Sequence, residues 1–227
     1  MMMKNETPKN GPRTEYHKNG QKLTEENYKD GKLNGKWTWW YENGQISNEG
    51  NYKDGKRDGK QTDYYKNGQV REERNLKDGN SEGKSTKWYA NGQIEIEGNC
   101  INNRPIGKLN SFYENGQKHS EMYYKDGKRN GKWTWWHEYG HIMQERNYKD
   151  GKLNGRTING WYENGQIKEE RNYKNNRIHT NWTWWREDGT KHSEMYYKDG
   201  MERLKWTWWY ENGQIQLVEY YKNGELI

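Results

Sequence analysis

The sequence is poor in the residues that fill most protein cores. Of its 227 residues only 28% are hydrophobic, with a single Phe, one Cys and 3 Pro. A lone Cys100 excludes an intramolecular disulfide framework and suits a reducing compartment, so a cytoplasmic location is expected. No apolar run is long enough to span a bilayer. The opening MMMKNETPKNGPR has no apolar h-region, so no signal peptide is read there, and residues 1–11 are expected to form a disordered tail. Charge of one sign is also scarce: a net +6 is far from that of a dedicated nucleic-acid binder. By aliphatic content alone the chain reads as unfolded. The 14 Trp and 19 Tyr argue otherwise, because each such ring buries about 150–250 Å².

What the chain does have is repetition. Asn-Gly-Gln and its variants place glycines at Gly20, Gly44, Gly68, Gly92, Gly116, Gly140, Gly165, Gly189 and Gly213, spaced 24 residues apart except for one step of 25 after Gly140. A second turn follows each, at Gly31, Gly55, Gly79, Gly127, Gly151, Gly200 and Gly224, with Asn103 and Asn176 standing in for glycine. Asn is the residue that best tolerates the left-handed backbone in glycine's stead. A third glycine four residues on is lost at Thr180 and Leu204. Nine units therefore cover residues 12–227.

Each unit reads as two strands and two turns. In the second unit these are Lys36–Tyr41, the turn Glu42–Gln45, the strand Ile46–Tyr52 and the turn Lys53–Lys56. Aromatic and Thr content favours strand, and Asn-Gly and Asp-Gly between such runs favour hairpins. No sustained 3.6-residue period argues for helix. The expected fold is all-β: an elongated, twisted single-sheet antiparallel meander of nine 24-residue hairpins, solenoid-like because one unit cannot bury enough surface to stand alone.

A two-residue first turn would pair Tyr41 with Ile46. A glycine bulge would pair Trp40 with Ile46 and is preferred, since it joins recurrent apolar positions. The expected core is then the aromatic column Tyr16, Trp40, Tyr64, Trp88, Phe112, Trp136, Trp161, Trp185 and Trp209. With it run the column from Tyr28 and Tyr52 to Tyr221 and the Ile or Val two residues after the first glycine.

The unit Tyr-Glu-Asn-Gly-Gln-Ile-x-x-Glu-x-x-Tyr-Lys-Asp-Gly-Lys-x-x-Gly-Lys-Trp resembles the MORN-variant repeat found in bacterial YwqK-type antitoxins. The resemblance covers nearly the whole chain. It implies a non-enzymatic binding protein, an antitoxin or immunity protein that blocks a toxin. MORN repeats elsewhere are linked to membrane phospholipids and scaffolding. The chain departs from the pattern at Arg104-Pro105-Ile106, around Thr157–Trp161 and at Met201–Leu204, where distortion is expected.

Three surfaces compete for function. The face opposite the expected core carries Trp37, Trp39 and Tyr41, then Trp133 and Trp135, Trp182 and Trp184, and Trp206, Trp208 and Tyr210, interrupted by Ile158 and Gly160. It is either a partner surface, since Trp and Tyr dominate hot spots, or a set of rings packed on one another by sheet curvature. Lysines at the second turn, such as Lys29, Lys32 and Lys36 or Lys125, Lys128 and Lys132, make one edge basic, fit for an acidic protein or weak contact with anionic lipid. Nucleic acid is not expected. A glutamate column, Glu25, Glu49, Glu73, Glu97, Glu121, Glu145, Glu170 and Glu194, is too regular for catalysis and is assigned a structural role beside Thr, Asn or Lys. His137 and His141 flank one turn but lack a third ligand, a weak metal signal. No catalytic residue, metal or cofactor is expected.

Overall fold

The computed structural model describes residues 9–198 and 202–227, and the side chains of all of these except 202 and 203. Among them every regular element is a strand, and strands pair antiparallel with their sequence neighbours. The expected meander of hairpins is therefore the fold. Contacts divide the chain into two compact units, Met1–Ile106 with Glu114–Gly116, and Gly107–Tyr113 with Gln117–Ile227. The division falls at Arg104-Pro105-Ile106, one of the three stretches that break the repeat pattern.

Both turns follow from their residues. In the first, Tyr41 N–H donates to the Gln45 carbonyl at 2.8 Å and Gly44 N–H to the Tyr41 carbonyl at 2.9 Å, while Asn43 Oδ1 accepts from Gln45 N–H at 3.1 Å. The register then shifts by one residue, so that Trp39 faces Asn48 and Trp40 faces Ile46, the bulged pairing expected from sequence. In the second turn Lys53 faces Lys56, with Asp54 at φ +50° and Gly55 at φ +82°. Two consecutive positive φ values define the turn whose twist matches paired strands, and only Gly, Asn and Asp adopt them cheaply. Asn103 and Asn176 hold φ of +62° and +68°, which is why Asn replaces glycine there. The second turn at Gly200 lies outside the described residues.

Residues 9–11, expected in the N-terminal tail, are placed against the next repeat. Residues 1–8 lie outside the described set, but the Lys9 carbonyl accepts from Gly31 N–H at 2.8 Å and Asn10 Oδ1 from Asp30 N–H at 2.9 Å, and a strand begins at Gly11. The Lys9 carbonyl thus accepts from the next repeat's second turn as the carbonyls of Leu33, Arg57, Ser81, Arg129 and Leu153 do.

The core is on a different face from the one expected. Trp40 and Ile46 do share a face, but Tyr52 does not join them. Trp37 pairs with Gly50, so Tyr52, two residues further, lies on the Trp37 side, with ring centroids 5.8 Å apart. The bulge at Ser47 adds one residue between Ile46 and Tyr52 and so reverses the alternation. The most buried rings are accordingly Trp37, 2% exposed, and Trp133 and Tyr148, each 5% exposed. In the second unit Trp133 lies 5.1 Å from Tyr124 and 5.0 Å from Tyr148, and its Nε1 donates to the Tyr123 carbonyl at 2.9 Å.

The other face has a buried polar spine absent from the sequence reading of the core. Thr38, Thr62 and Thr86 in the first unit, and Thr134, Thr183 and Thr207 in the second, are all buried. They alternate across strands with the glutamate column: Glu49 lies between Thr38 and Thr62, and Glu73 between Thr62 and Thr86. The structural role assigned to these glutamates holds. Glu49 accepts from Tyr64 Oη at 2.8 Å and lies 2.8 Å from Lys36 Nζ. Ile158, expected on the tryptophan face, instead enters the threonine spine opposite Glu145 and Glu170 and is 4% exposed. An extra bulge at Asn159 moves it there, absorbing the additional residue of the 25-residue repeat.

Candidate functional site

The ten aromatic residues proposed for a partner fall into three groups. Trp37 and Trp133 are core. Each is enclosed by a neighbouring Trp and a Tyr and covered by a guanidinium, Arg57 at 5.1 Å from the Trp37 ring and Arg129 at 5.3 Å from that of Trp133. For these two the packing alternative is the correct one, because they share their face with the tyrosine column.

Tyr41 is a clamp between repeats. Its hydroxyl donates to the Tyr64 carbonyl 2.8 Å away, a bond that Tyr65 repeats to Trp88 at 2.7 Å. Tyr113 to Trp136 at 2.7 Å and Tyr162 to Trp185 at 2.8 Å repeat it in the second unit. Tyr210, in the last repeat, is half exposed.

The remaining residues form the accessible part of the face. Trp39 is 38% exposed, with its Nε1 3.3 Å from Glu26. In the second unit Trp135, Trp182, Trp184, Trp206 and Trp208 are half-buried. Trp182 and Trp184 stack at 4.4 Å and Trp206 and Trp208 at 4.1 Å, each pair inclined by 27°. Arg171 lies 3.9 Å over the Trp182 ring and binds Glu169 at 2.6 Å, and Trp182 Nε1 also donates to Glu169. Burial would lower the Arg171 pKa, but its bonds to Tyr173 and Glu169 outweigh that and raise it. The result is a row of half-buried, stacked indoles with a guanidinium over Trp182. The guanidiniums were missed from sequence, although Arg57 and Arg129 stand where other repeats have Leu33 or Leu153.

The face differs in the third repeat, where Gln61 and Asp63 replace the tryptophans, buried and joined at 3.1 Å, with Arg74 and Arg71 3.7 and 3.8 Å from Asp63. The second-turn edge is basic as expected. In the second unit two open grooves there, of about 350 and 480 Å³, are lined by Lys128, Lys149, Lys152, Lys174 and Arg177, with Asp150 the one acid. No three His, Cys, Asp or Glu side chains among the described residues are placed to hold a metal, and His137 and His141 meet through backbone, at 2.8 Å.

A profile of the MORN repeat variant matches residues 9–30, 33–54, 57–78, 81–102, 106–126, 129–150, 160–175 and 204–223. The chain belongs to the MORN repeat variant family. Repeats of this family generally mediate protein or membrane binding. The eighth hairpin, around Gly189, falls between two matched segments, yet Trp185 pairs with Lys191 across the same bulge. No curated protein matches the chain significantly. Among solved structures it is similar to a TcdB2-TccC3-Cdc42 complex, at 12% identity over 94% of this chain and 12% of that one, with a TM-score of 0.25. It is also similar to a TcdB2-TccC3 structure, at 10% identity over 95% of this chain and 14% of that one, with a TM-score of 0.20. The MORN repeat chain thus spans a small fraction of either.

Proposed function

We propose that this MORN repeat protein is a non-enzymatic binding protein of the bacterial cytoplasm, an antitoxin or immunity protein that occupies a partner toxin with its indole row. The observation that carries the reading is the pair of stacked indole dimers, Trp182 with Trp184 and Trp206 with Trp208, all half-buried, with Arg171 over Trp182. Trp and Arg are the residue types on which protein interfaces concentrate their energy. Rings already fixed by stacking lose little conformational freedom on binding. Reaction chemistry is not needed for this role, and no cofactor enters it.

Co-expression with the product of a neighbouring gene tests it. The two proteins should co-purify, and the chain should rescue cells from that product. The double variant Trp135→Ala with Trp184→Ala should weaken the complex by at least about thirtyfold while the circular dichroism spectrum stays unchanged. Rescue failing with every adjacent toxic gene, or loss of the fold in the double variant, would refute the role or the surface respectively.

A second reading, contact with an anionic membrane, is favoured by the basic edge from Lys128 to Arg177. It predicts sedimentation with anionic vesicles that fades as salt is raised, since exposed charges are screened within about 10 Å at 0.1 M salt.

A further inference from the structure

The first-turn edge is a ladder. In the turns at 41–45 and 162–166 three residues reach the next turn: the Tyr hydroxyl to a strand carbonyl, the Asn amide to a turn carbonyl, and the Gln side chain over the following glycine. Asn43 Nδ2 donates to the Lys66 carbonyl at 3.0 Å, and Gln45 Oε1 lies 2.7 Å from the position a Cβ on Gly68 would take. In the second unit Asn164 bonds the Glu187 carbonyl at 2.6 Å and Gln166 covers Gly189.

The turn at residues 137–141 replaces all three. His137 stands in the Tyr place, Tyr139 in the Asn place and His141 in the Gln place. Tyr139 turns outward, 69% exposed, and stacks on His137 with 4° between planes and centroids 5.1 Å apart, while His141 packs edge-on at 5.5 Å. Nothing covers Gly165 within 4 Å. An open groove of about 540 Å³ results, lined by these three residues with Trp161, Tyr162 and Glu163. Its volume is that of a small-molecule or side-chain site.

The lining is aromatic on several sides, and its one carboxylate is that of Glu163. No Lys or Arg contributes to it. Lys168 lies 5.8 Å from the Tyr162 ring without lining the groove, so that ring already attracts a cation. Ring faces with a single carboxylate suit a compact, weakly hydrated cation and disfavour anions. We infer that this groove binds an organic monocation, a guanidinium or alkylammonium group. The inference goes beyond the toxin-binding reading and does not depend on it.

Amide chemical shifts of the full chain give the test. Arginine amide and tetramethylammonium should each produce saturable shifts confined to residues 137–142 and 161–165, with dissociation constants in the millimolar range. Preference for a tripeptide carrying Arg over tetramethylammonium identifies a protein side chain as the source, and the reverse preference a small alkylammonium ion. Glu163→Gln should weaken binding about threefold to fivefold, as loss of one exposed ion pair does. Tyr139→Asn, which restores a ladder residue, should abolish it. Equal shifts from 3,3-dimethylbutanol, a neutral isostere, would overturn the inference, as would absence of saturation. So would binding unchanged in Glu163→Gln, an exposed substitution that leaves the fold intact.

Discussion

Tyr113 donates its hydroxyl hydrogen to the Trp136 carbonyl, 2.7 Å away and 23 residues later in the chain. The bond joins consecutive hairpins through a side chain rather than through the strand ladder, and burial raises the Tyr113 pKa. Tyr113→Phe keeps the ring and leaves that carbonyl without its side-chain donor. The variant should lose about 1 kcal/mol, read as a lower urea midpoint. Tyr210→Phe, at a half-exposed position, should change stability by less than about 0.5 kcal/mol.

Gly50 lies opposite Trp37 on the paired strand, and its backbone is not left-handed. A Cβ there would sit 3.0 Å from Trp37 Nε1 and 3.2 Å from Cε2. Because Trp37 is enclosed by Trp39, Tyr52 and Arg57, the ring cannot yield without disturbing its neighbours. Gly50→Ala should destabilise by about 1–3 kcal/mol, measured by thermal unfolding, with a change in the near-ultraviolet circular dichroism of the indoles.

Glu121 gives the fold an acid-sensitive contact. Burial alone would raise its pKa, but Lys108 and Lys118, each 2.7 Å away, more than offset this and lower it from 4.5 to about 2. A carboxyl with a depressed folded-state pKa stabilises fully above its unfolded value. That contribution is lost as pH falls from about 5 toward about 2. Glu121→Gln should cost about 0.5–1 kcal/mol at neutral pH and flatten this part of the acid-unfolding curve, measured by urea midpoints across the range.

Much of this was legible in the residues. Positive-φ turns need Gly, Asn or Asp, so the spacing of those residues sets the hairpins. The glycine bulge pairing Trp40 with Ile46 was legible because it joins recurrent apolar positions. The glutamate column was readable as structural because regular repetition is incompatible with a single active site. The candidate surface was readable only in part: Trp182, Trp184, Trp206 and Trp208 are half-open, whereas Trp37 and Trp133 are enclosed and Tyr41 is a clamp. The same residue type at the same repeat position serves core in one repeat and surface in another. Burial there depends on which tyrosines and guanidiniums the neighbouring strands bring, and spacing does not record it.

By itself, then, the sequence determined the repeat, its strands and turns, and its membership of the MORN repeat variant family, because backbone conformation at Gly, Asn and Asp is a local property. The tertiary structure decided which face is the core. A single bulged residue at Ser47 reverses the alternation of everything after it, and that reversal is visible only once the strands are paired. It also decided where the turn ladder opens: His137, Tyr139 and His141 look like three scattered substitutions until the next repeat is laid beside them.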